Sequence, residues 1–501
     1  MSSNFGMTRR DFAKMLGCVA ALGLVDAPGA LTQVFGGDKK NLLFLAHGTA
    51  RTEGEWELKK IEGKVPRDIS GKLFRIAPGQ KDNFGVLMKH LFDGDAFVSR
   101  YDFRDGRVFL KAKFVETPQR VEELKAGRML YSEFGTVKPP IPEGYQRLSN
   151  GKNQPSVNVI LWDGKLLGLS EGGHPTAIDP ATLGYLGEWD FAATLPKDLS
   201  FTAHPKFDQV TGEGYAFGIK KGPCLTLTVY RMEKNGRLSQ IGAFPQKEFF
   251  MIHDVSLSSE HLVFVIPPVK FDLPTMMSGK ATPADALRYG EREPTRILIL
   301  RKDGKGKPVW IEQPAAMVFH HGNAFEKDGT LIFDTILTPD NSILRSLYSF
   351  ANDKIPVAAP NKITRFTIDL TEGKIKSRAE FGTDHEFPRY DPRATGKDAR
   401  YLYTAASENR DFLESGAVAR HDLRTGASKS VEAGRGRIFG EPVFVPKQTG
   451  EERGWILAQG YDAARNETFI EIRDAATMDF AARVWTQIYI PLGFHGNFYA
   501  E

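Results

Sequence analysis

The 501-residue chain has only two cysteines, Cys18 and Cys224. Two thiols close one disulfide at most, which excludes a disulfide framework and a cysteine-based zinc site. Charge of one sign is missing too: Lys+Arg 66 against Asp+Glu 62 leaves +4. A phosphate backbone needs a basic face, so nucleic acid is not an expected partner. Local charge runs such as "RKDGKGK" read as solvated turns. Beyond the N-terminus no apolar run is long enough to span a bilayer. Long helical patterns are scarce, and no Pro/Ser/Gly linker divides the chain. The length prior of roughly three domains of about 150 residues therefore yields to one large closed architecture.

The N-terminus carries a targeting pattern. Arg9 and Arg10 precede Phe12 and Lys14, and an apolar run follows from Met15 to Val25. A charged head and a short apolar run make a leader rather than a membrane span. The pattern resembles the twin-arginine export signal, Ser/Thr-Arg-Arg-x-Phe-x-Lys. Residues 1–35 are set aside as that signal, residues 40–501 as one domain, and the expected location is the periplasm. A clean Ala-x-Ala cleavage site is lacking, so retention of an uncleaved signal at the inner membrane is the alternative. Removing the leader removes Cys18 and leaves one thiol.

The remainder is a procession of short strands with turn dipeptides between them. "NVILWDGKLLGLSEGG" reads strand, Asp-Gly turn, strand, and "VYRMEKNGRLSQIG" does the same with Asn-Gly. "ILILRKDGKGKPVWIE", "RFTIDLTEGKIKSRAEF", "AVARHDLRTGASKSVEA" and "TFIEIRDAATMDFAARVW" continue the series. Many evenly spaced hairpins predict an all-β fold, a β-propeller, in which radial repetition leaves few exposed edges. One stretch breaks the pattern. "DNSILRSLYSFANDK" puts Ile343, Leu344, Leu347, Tyr348 and Ala351 on a helical face, a candidate cap over a substrate opening.

Among the eleven histidines, His261 and His421 lie beside turns and read as solvated. His204, His253, the doublet His320/His321 and His495 are flanked by bulky apolar residues, where an imidazole needs a partner. Inner strands of a propeller converge on one axis, so these can meet. Neighbours on a strand face opposite ways, so only one of His320 and His321 can point inward. Imidazoles without thiolate suit iron, copper, nickel or zinc. Fe(II) favours six ligands, which four histidines leave unfilled. Metal-bound imidazoles pass their other N–H to a carboxylate, and Glu171, Glu386 and Glu441 sit in suitably apolar or glycine-rich settings. Asp93 and Asp95 in "FDGDAF" read as a turn rather than an acid–base pair.

Here a resemblance enters. "KVPRDISGKLFRIAPG", "HLFDGDAFVSRYDFRDGRV", "NVILWDGKLLGLSEGG", "FTAHPKFDQVTGE", "MIHDVSLS", "FHHGNAFEKDG", "EFPRYDPR", "GEPVFVP" and "IPLGFHGNF" occur in this order from about Lys59 to Glu501. Together they resemble the carotenoid cleavage oxygenase family, which includes apocarotenoid oxygenases, lignostilbene dioxygenases and the retinoid isomerase. The resemblance implies a seven-bladed propeller, one axial Fe(II) per chain, O2 as co-substrate and an apolar tunnel. The family patterns His-Pro-Lys, Ile-His-Asp and Gly-Phe-His-Gly fall on His204, His253 and His495. The pattern Phe-His-x-x-Asn-Ala-Phe/Tyr-Glu falls on Phe319 to Glu326, which implies His320 as ligand and His321 as a bystander. The three glutamates holding the ligands fall on Glu171, Glu386 and Glu441. Two family glycines are replaced, by Ala77 and Ala96, which puts loop geometry in question.

Lignostilbene-type members grip a phenol with a lysine and a tyrosine. Ser170 and, by the alignment used, Leu110 stand at those positions. The expectation is therefore a dioxygenase that cleaves a C=C bond of a carotenoid or apocarotenoid into two carbonyl products, with peripheral membrane contact for uptake. The alternatives are stilbene cleavage, isomerisation without O2, and a non-catalytic periplasmic propeller that binds an apolar ligand.

Overall fold

Turn chemistry sets the local structure. In the hairpin of Asn158–Trp162 and Lys165–Leu169, Asp163 and Gly164 have φ of 49° and 71°. Both central residues of this tight turn need positive φ, which Asp-Gly supplies at low cost. Asp105–Gly106 (51°, 76°) and Asp328–Gly329 (51°, 74°) repeat the device. All six hairpins expected from turn dipeptides form.

In this computed structural model, residues 40–501 are described apart from 221–224, 247–249, 279, 349–357, 408–415, 448–449 and 451–452. The leader and both cysteines lie outside the described residues. Seven sheets of four or five antiparallel strands form the blades of a propeller. Numbered along the chain, their inner strands are Gly496–Ala500 (blade 1), Asn158–Trp162 (2), Lys206–Phe207 (3), Ser256–Leu257 (4), Met317–Lys327 (5), His385–Arg389 (6) and Arg437–Pro446 (7).

The ring closes twice. The C-terminal strand pairs with Gly71–Pro78 from Gly71↔Ala500 to Arg75↔Gly496. The early strand Ile61–Gly63 pairs with Phe480–Trp485, which it covers at the outer edge of blade 7. Apolar side chains fill the seams between blades. Leu73, Tyr101, Leu110, Val443, Leu457 and Ile470 are buried together between blades 1 and 7. Ala77 and Ala96 sit in a regular ladder, as Ala77↔Phe97 and Pro78↔Ala96, so the two missing glycines leave these strands undistorted.

Long connections and the helix Lys40–Ala46 gather into an apolar cap. Leu43, Leu91, Val269, Met317, Phe319, Ile343, Leu347 and Phe494 form one buried cluster there. The expected capping helix forms as Ser342–Tyr348; Ala351 lies outside the described residues. No helix among the described residues is long and apolar enough to cross a membrane.

Candidate metal centre

Four imidazoles meet on the propeller axis. The ligand-capable nitrogens of His204, His253, His320 and His495 lie within 4.8 Å of one another, and all four residues are buried. Their Nε2 atoms approach at 3.0 Å (His204–His253), 3.2 Å (His253–His320) and 3.1 Å (His320–His495). Nitrogens at right angles and roughly 2.1 Å from one ion stand about 3.0 Å apart; at tetrahedral angles they stand about 3.4 Å apart. The spacing therefore fits one ion held at near-right angles, with the donor set short of six.

The strands explain the aim. His204 and His253 lie just before the inner strands of blades 3 and 4, and His495 just before that of blade 1. His320 lies inside its strand, where pairing slips between Val318↔Leu337 and His321↔Thr335. The extra residue is a β-bulge, which re-aims a side chain that regular alternation would misplace. The same irregularity follows Glu386, between Glu386↔Ala405 and Arg389↔Tyr403, and includes Glu441, between Phe439↔Gly460 and Pro442↔Ala458.

Three imidazoles hand their outer nitrogen to a carboxylate. His320 Nδ1 donates to Glu386 at 2.6 Å and His495 Nδ1 to Glu441 at 2.9 Å, while His253 Nδ1 contacts Glu171. These bonds fix ring orientation and leave Nε2 facing the axis. Burial pushes the His204 imidazole well below its usual range, reinforced by His253, and pushes His495 down to about 3 against the pull of Glu441. Both are therefore neutral and ready to ligate at physiological pH. Burial would also lower His253, but the Glu171 carboxylate overcomes it and raises the group. Burial alone would raise Glu441; Arg389, His495 and Arg75 outweigh it and hold the carboxyl down at about 2.

The three carboxylates differ in setting. Glu441 is 1% exposed as a side chain and bridges Arg75, Arg389 and the Gly496 N–H, whereas Glu171 is 34% exposed. His321 does not join the cluster of four. Its ring Nδ1 meets Thr335 Oγ1 at 2.8 Å and its backbone N–H donates to Asp254 at 2.9 Å. The bystander reading therefore agrees with its placement.

The sequence reading failed in three places. His421 is not solvated: it is buried, faces His385 with ring centroids 4.3 Å apart, and shares Thr404 with it. His261 is largely buried and pairs with Glu326 at 2.9 Å, so its turn hides it. Leu110 lies in the seam between blades 1 and 7, so its identity says nothing about a phenol. Ser170 bonds Asn153 at 3.0 Å. Asp93 and Asp95 anchor loops, Asp93 through Gly135 N and Thr136 Oγ1 and Asp95 through Arg120 and Lys152.

Sequence reasoning also missed the polar belt behind the ligands. Lys206 pairs with Asp254 at 2.7 Å, and Arg389 reaches Glu441 at 3.2 Å and Asn497 at 2.9 Å. Lys206 and Asp254 each stand in the motif of a histidine ligand, two and one residues on, which was the available signal.

Two cavities meet this centre. One, on the cap side, has a volume of about 40 Å³ and is walled by Phe92, Phe319, Ile343, Leu347, Phe387 and Phe494 beside three of the histidines. The other, of about 390 Å³, reaches His204, His320 and His495 from the opposite side through walls that mix polar and apolar side chains.

A family model described as retinal pigment epithelial membrane protein matches residues 47–500. Apocarotenoid-15,15'-oxygenase of Synechocystis sp. is 30% identical over 460 residues, 88% of this chain and 93% of that protein. The chain belongs to the carotenoid cleavage oxygenase family. Other relatives of this oxygenase include resveratrol cleavage oxygenase 1 of Aspergillus fumigatus, 29% identical over 89% of this chain and 93% of its own length. Lignostilbene-alpha,beta-dioxygenase isozyme III of Sphingomonas paucimobilis is 27% identical over 89% and 94%. The solved structure of cobalt-substituted Synechocystis apocarotenoid oxygenase superposes with a TM-score of 0.84 at 27% identity, covering 92% of this chain and 99% of that one.

Proposed function

We propose that this oxygenase is an iron(II) dioxygenase that cleaves a conjugated C=C bond of a carotenoid or apocarotenoid. Both atoms of O2 are consumed, one in each new carbonyl group. The apolar cavity carries this reading: apart from the histidines and Glu386, its walls are hydrocarbon, and it opens directly on three of the four imidazoles, His253, His320 and His495. Its hydrocarbon walls suit the stretch of a polyene beside the reacting bond, about 40 Å³ holding a part of such a chain and not the whole, and no cation lines it among the described residues. His204, His253, His320 and His495 hold the metal; Glu171, Glu386 and Glu441 keep three of the rings in place. Neutral imidazole donors suit iron among other divalent metals, and the cobalt-substituted relative supports a centre that accepts such ions. Iron supplies activation of O2. The protein holds the alkene beside the centre, keeps bulk water away through Phe92, Phe319, Phe387 and Phe494, and locks the rings through their Nδ1–H bonds. No acid–base pair is required.

Iron-loaded protein incubated with an apocarotenal, β-carotene and resveratrol, with products read by mass spectrometry under 18O2, tests the reading. Labelled aldehydes from a polyene are expected; intact polyenes with a metal-replete enzyme would sink it. Stilbene cleavage is the second reading, favoured by the similarity to the resveratrol and lignostilbene enzymes, and the same panel separates the two. Polyene isomerisation under anaerobic conditions would instead assign the isomerase chemistry.

We further propose export by the twin-arginine route and action in the periplasm, at a membrane surface. Phe84, Leu87, Leu124, Val137, Tyr145 and Leu148 are exposed on segments close in sequence to Phe92, a residue of the apolar cavity wall. Asn83 bonds Glu123, and Glu122 takes Tyr145 and the Leu148 N–H, which ties these segments together. Apolar side chains rimming a tunnel suit transfer of a lipid-soluble substrate. Arg9→Lys with Arg10→Lys, followed by cell fractionation, tests the route: loss from the periplasm is expected.

A further inference from the structure

The four-histidine centre has two approaches, and they suit different visitors. Apart from Glu386 and the histidines at its inner end the cap-side cavity is hydrocarbon, and a hydrated dication entering it would shed its water before any ligand replaced it. The larger cavity offers donor atoms along its length: Asn158, Asp254, His321 and Asn497 stand in its wall, together with the cations Lys206 and Arg389. Lys206 is paired with Asp254, while Arg389 shares Glu441 with Arg75, so the charge of the two wall cations is offset in part.

His321 stands out in that wall. It is 3% exposed, and its Nε2 has no hydrogen-bond partner among the described residues. The tautomer follows from its neighbour. Thr335 Oγ1 donates its one hydrogen to the His320 carbonyl at 3.2 Å. It can then only accept at its 2.8 Å contact with His321 Nδ1, so Nδ1 bears the ring hydrogen. Nε2 is left as a bare lone pair on the residue next to the ligand His320, and the Asp254 carboxylate takes the backbone N–H of the same residue at 2.9 Å. A neutral imidazole with an unused lone pair is a metal ligand in waiting.

We propose that the larger axial channel is the route by which the metal ion enters and leaves, and that His321 Nε2 is a transient ligand on that route. The proposal rests on the four-histidine centre holding a divalent ion. The doublet His320/His321 then divides the work, one histidine for residence and one for passage.

The test uses metal-free full-length protein and Co2+ or Fe2+ alone, without oxygen. Loading is followed by absorbance or by metal content after rapid desalting, and release by excess chelator. A residue that serves only the route changes loading and release by the same factor and leaves the dissociation constant unchanged; a resident ligand or a structural support changes that constant. His321→Gln is expected to slow both rates about tenfold at unchanged final metal content. Gln209→Trp, an exposed position in the channel wall, narrows the passage without touching a ligand and is expected to slow both rates as well. Leu347→Trp on the apolar side should load as the unaltered protein does. Unchanged rates in both channel variants, a weakened dissociation constant in His321→Gln, or slow loading confined to Leu347→Trp each overturn the route. If the unaltered protein takes up no metal, the centre itself fails, and that outcome is distinct from the others.

Discussion

Glu441→Gln should do two separable kinds of damage. The carboxylate lies between Arg75 (3.5 Å), Arg389 (3.2 Å), His495 Nδ1 (2.9 Å) and Gly496 N (2.9 Å). Gln keeps the shape but withdraws the charge and turns an NH2 toward a donor. Arg75, with 2% of its side chain exposed, then loses its only ion-pair partner among the described residues. Breaking a buried pair on one side costs about 3–5 kcal/mol. Loss of the His495 anchor weakens metal binding by about 10–100-fold, or about 1.4–2.7 kcal/mol. Glu171→Gln is the contrast: its carboxylate is one-third exposed and bonds one imidazole. It should lose metal affinity at the low end of that range and less than about 1 kcal/mol of apo stability. Urea unfolding of the apo proteins reads the first effect, and competitive chelator titration with Co2+ reads the second. Acid adds a check. Glu441 has its pKa depressed from 4.5 to about 2, so its stabilisation is complete above pH 4.5 and is lost as pH falls toward 2. The glutamine variant should lack that loss. Apo Glu441→Gln as stable as its parent, or equal affinity losses in the two variants, would refute the reasoning.

His320→Ala should abolish stoichiometric metal binding, while His321→Ala should keep it at equilibrium; metal analysis of the purified variants decides, and metal missing only from His321→Ala would shift the register by one residue. Burial holds His385 near pH 4 and His421 near pH 3, below the usual 6.5, so protons prefer the unfolded chain across that window. Stability should fall as pH drops from 6.5, by up to about 1.4 kcal/mol per pH unit for each imidazole, and His421→Phe should flatten the slope of unfolding midpoint against pH. Gly493→Ala should expel the closing segment, because its Cβ would lie 2.0 Å from the Ile76 carbonyl oxygen; a large fall in thermal midpoint together with metal loss is expected.

How much of this was legible depends on range in the chain. Asp163–Gly164 and the other turn dipeptides act over a few residues, so the hairpins could be read directly, and repetition of hairpins gave the propeller. The axial histidines could be suspected because His204, His253, His320 and His495 sit in apolar surroundings, yet only the family patterns separated His320 from His321. What stayed hidden depends on contacts between blades. His421 is buried because His385 and Thr404 cover it, and nothing beside residue 421 announces that. Leu110 was misjudged because a strand alternates its faces, and its face looks into a seam. The bulges at His320, Glu386 and Glu441 left only faint traces: Gly322, Pro388, Gly440 and Pro442 interrupt otherwise regular strands.

The seven residues of the candidate centre are distributed one to a blade. His495 comes with blade 1, Glu171 with blade 2, His204, His253 and His320 with blades 3, 4 and 5, Glu386 with blade 6 and Glu441 with blade 7. This has a mechanical consequence. Three histidines lie on consecutive blades, but the fourth precedes the C-terminal strand that completes blade 1. An ion held by all four would therefore tie the closing strand to the far side of the ring. Glu441 adds a second tie, since its carboxylate takes both His495 Nδ1 and the Gly496 N–H from blade 7. The free energy of metal binding would thus resist opening of the seam as well as organise the chemistry. A centre built on one blade could hold an ion equally well, but it would leave closure to two short ladders, Gly71↔Ala500 to Arg75↔Gly496 and Ile61↔Val484 to Gly63↔Ala482. Placing the last ligand next to the first of these ladders makes the active geometry and the closed ring the same event.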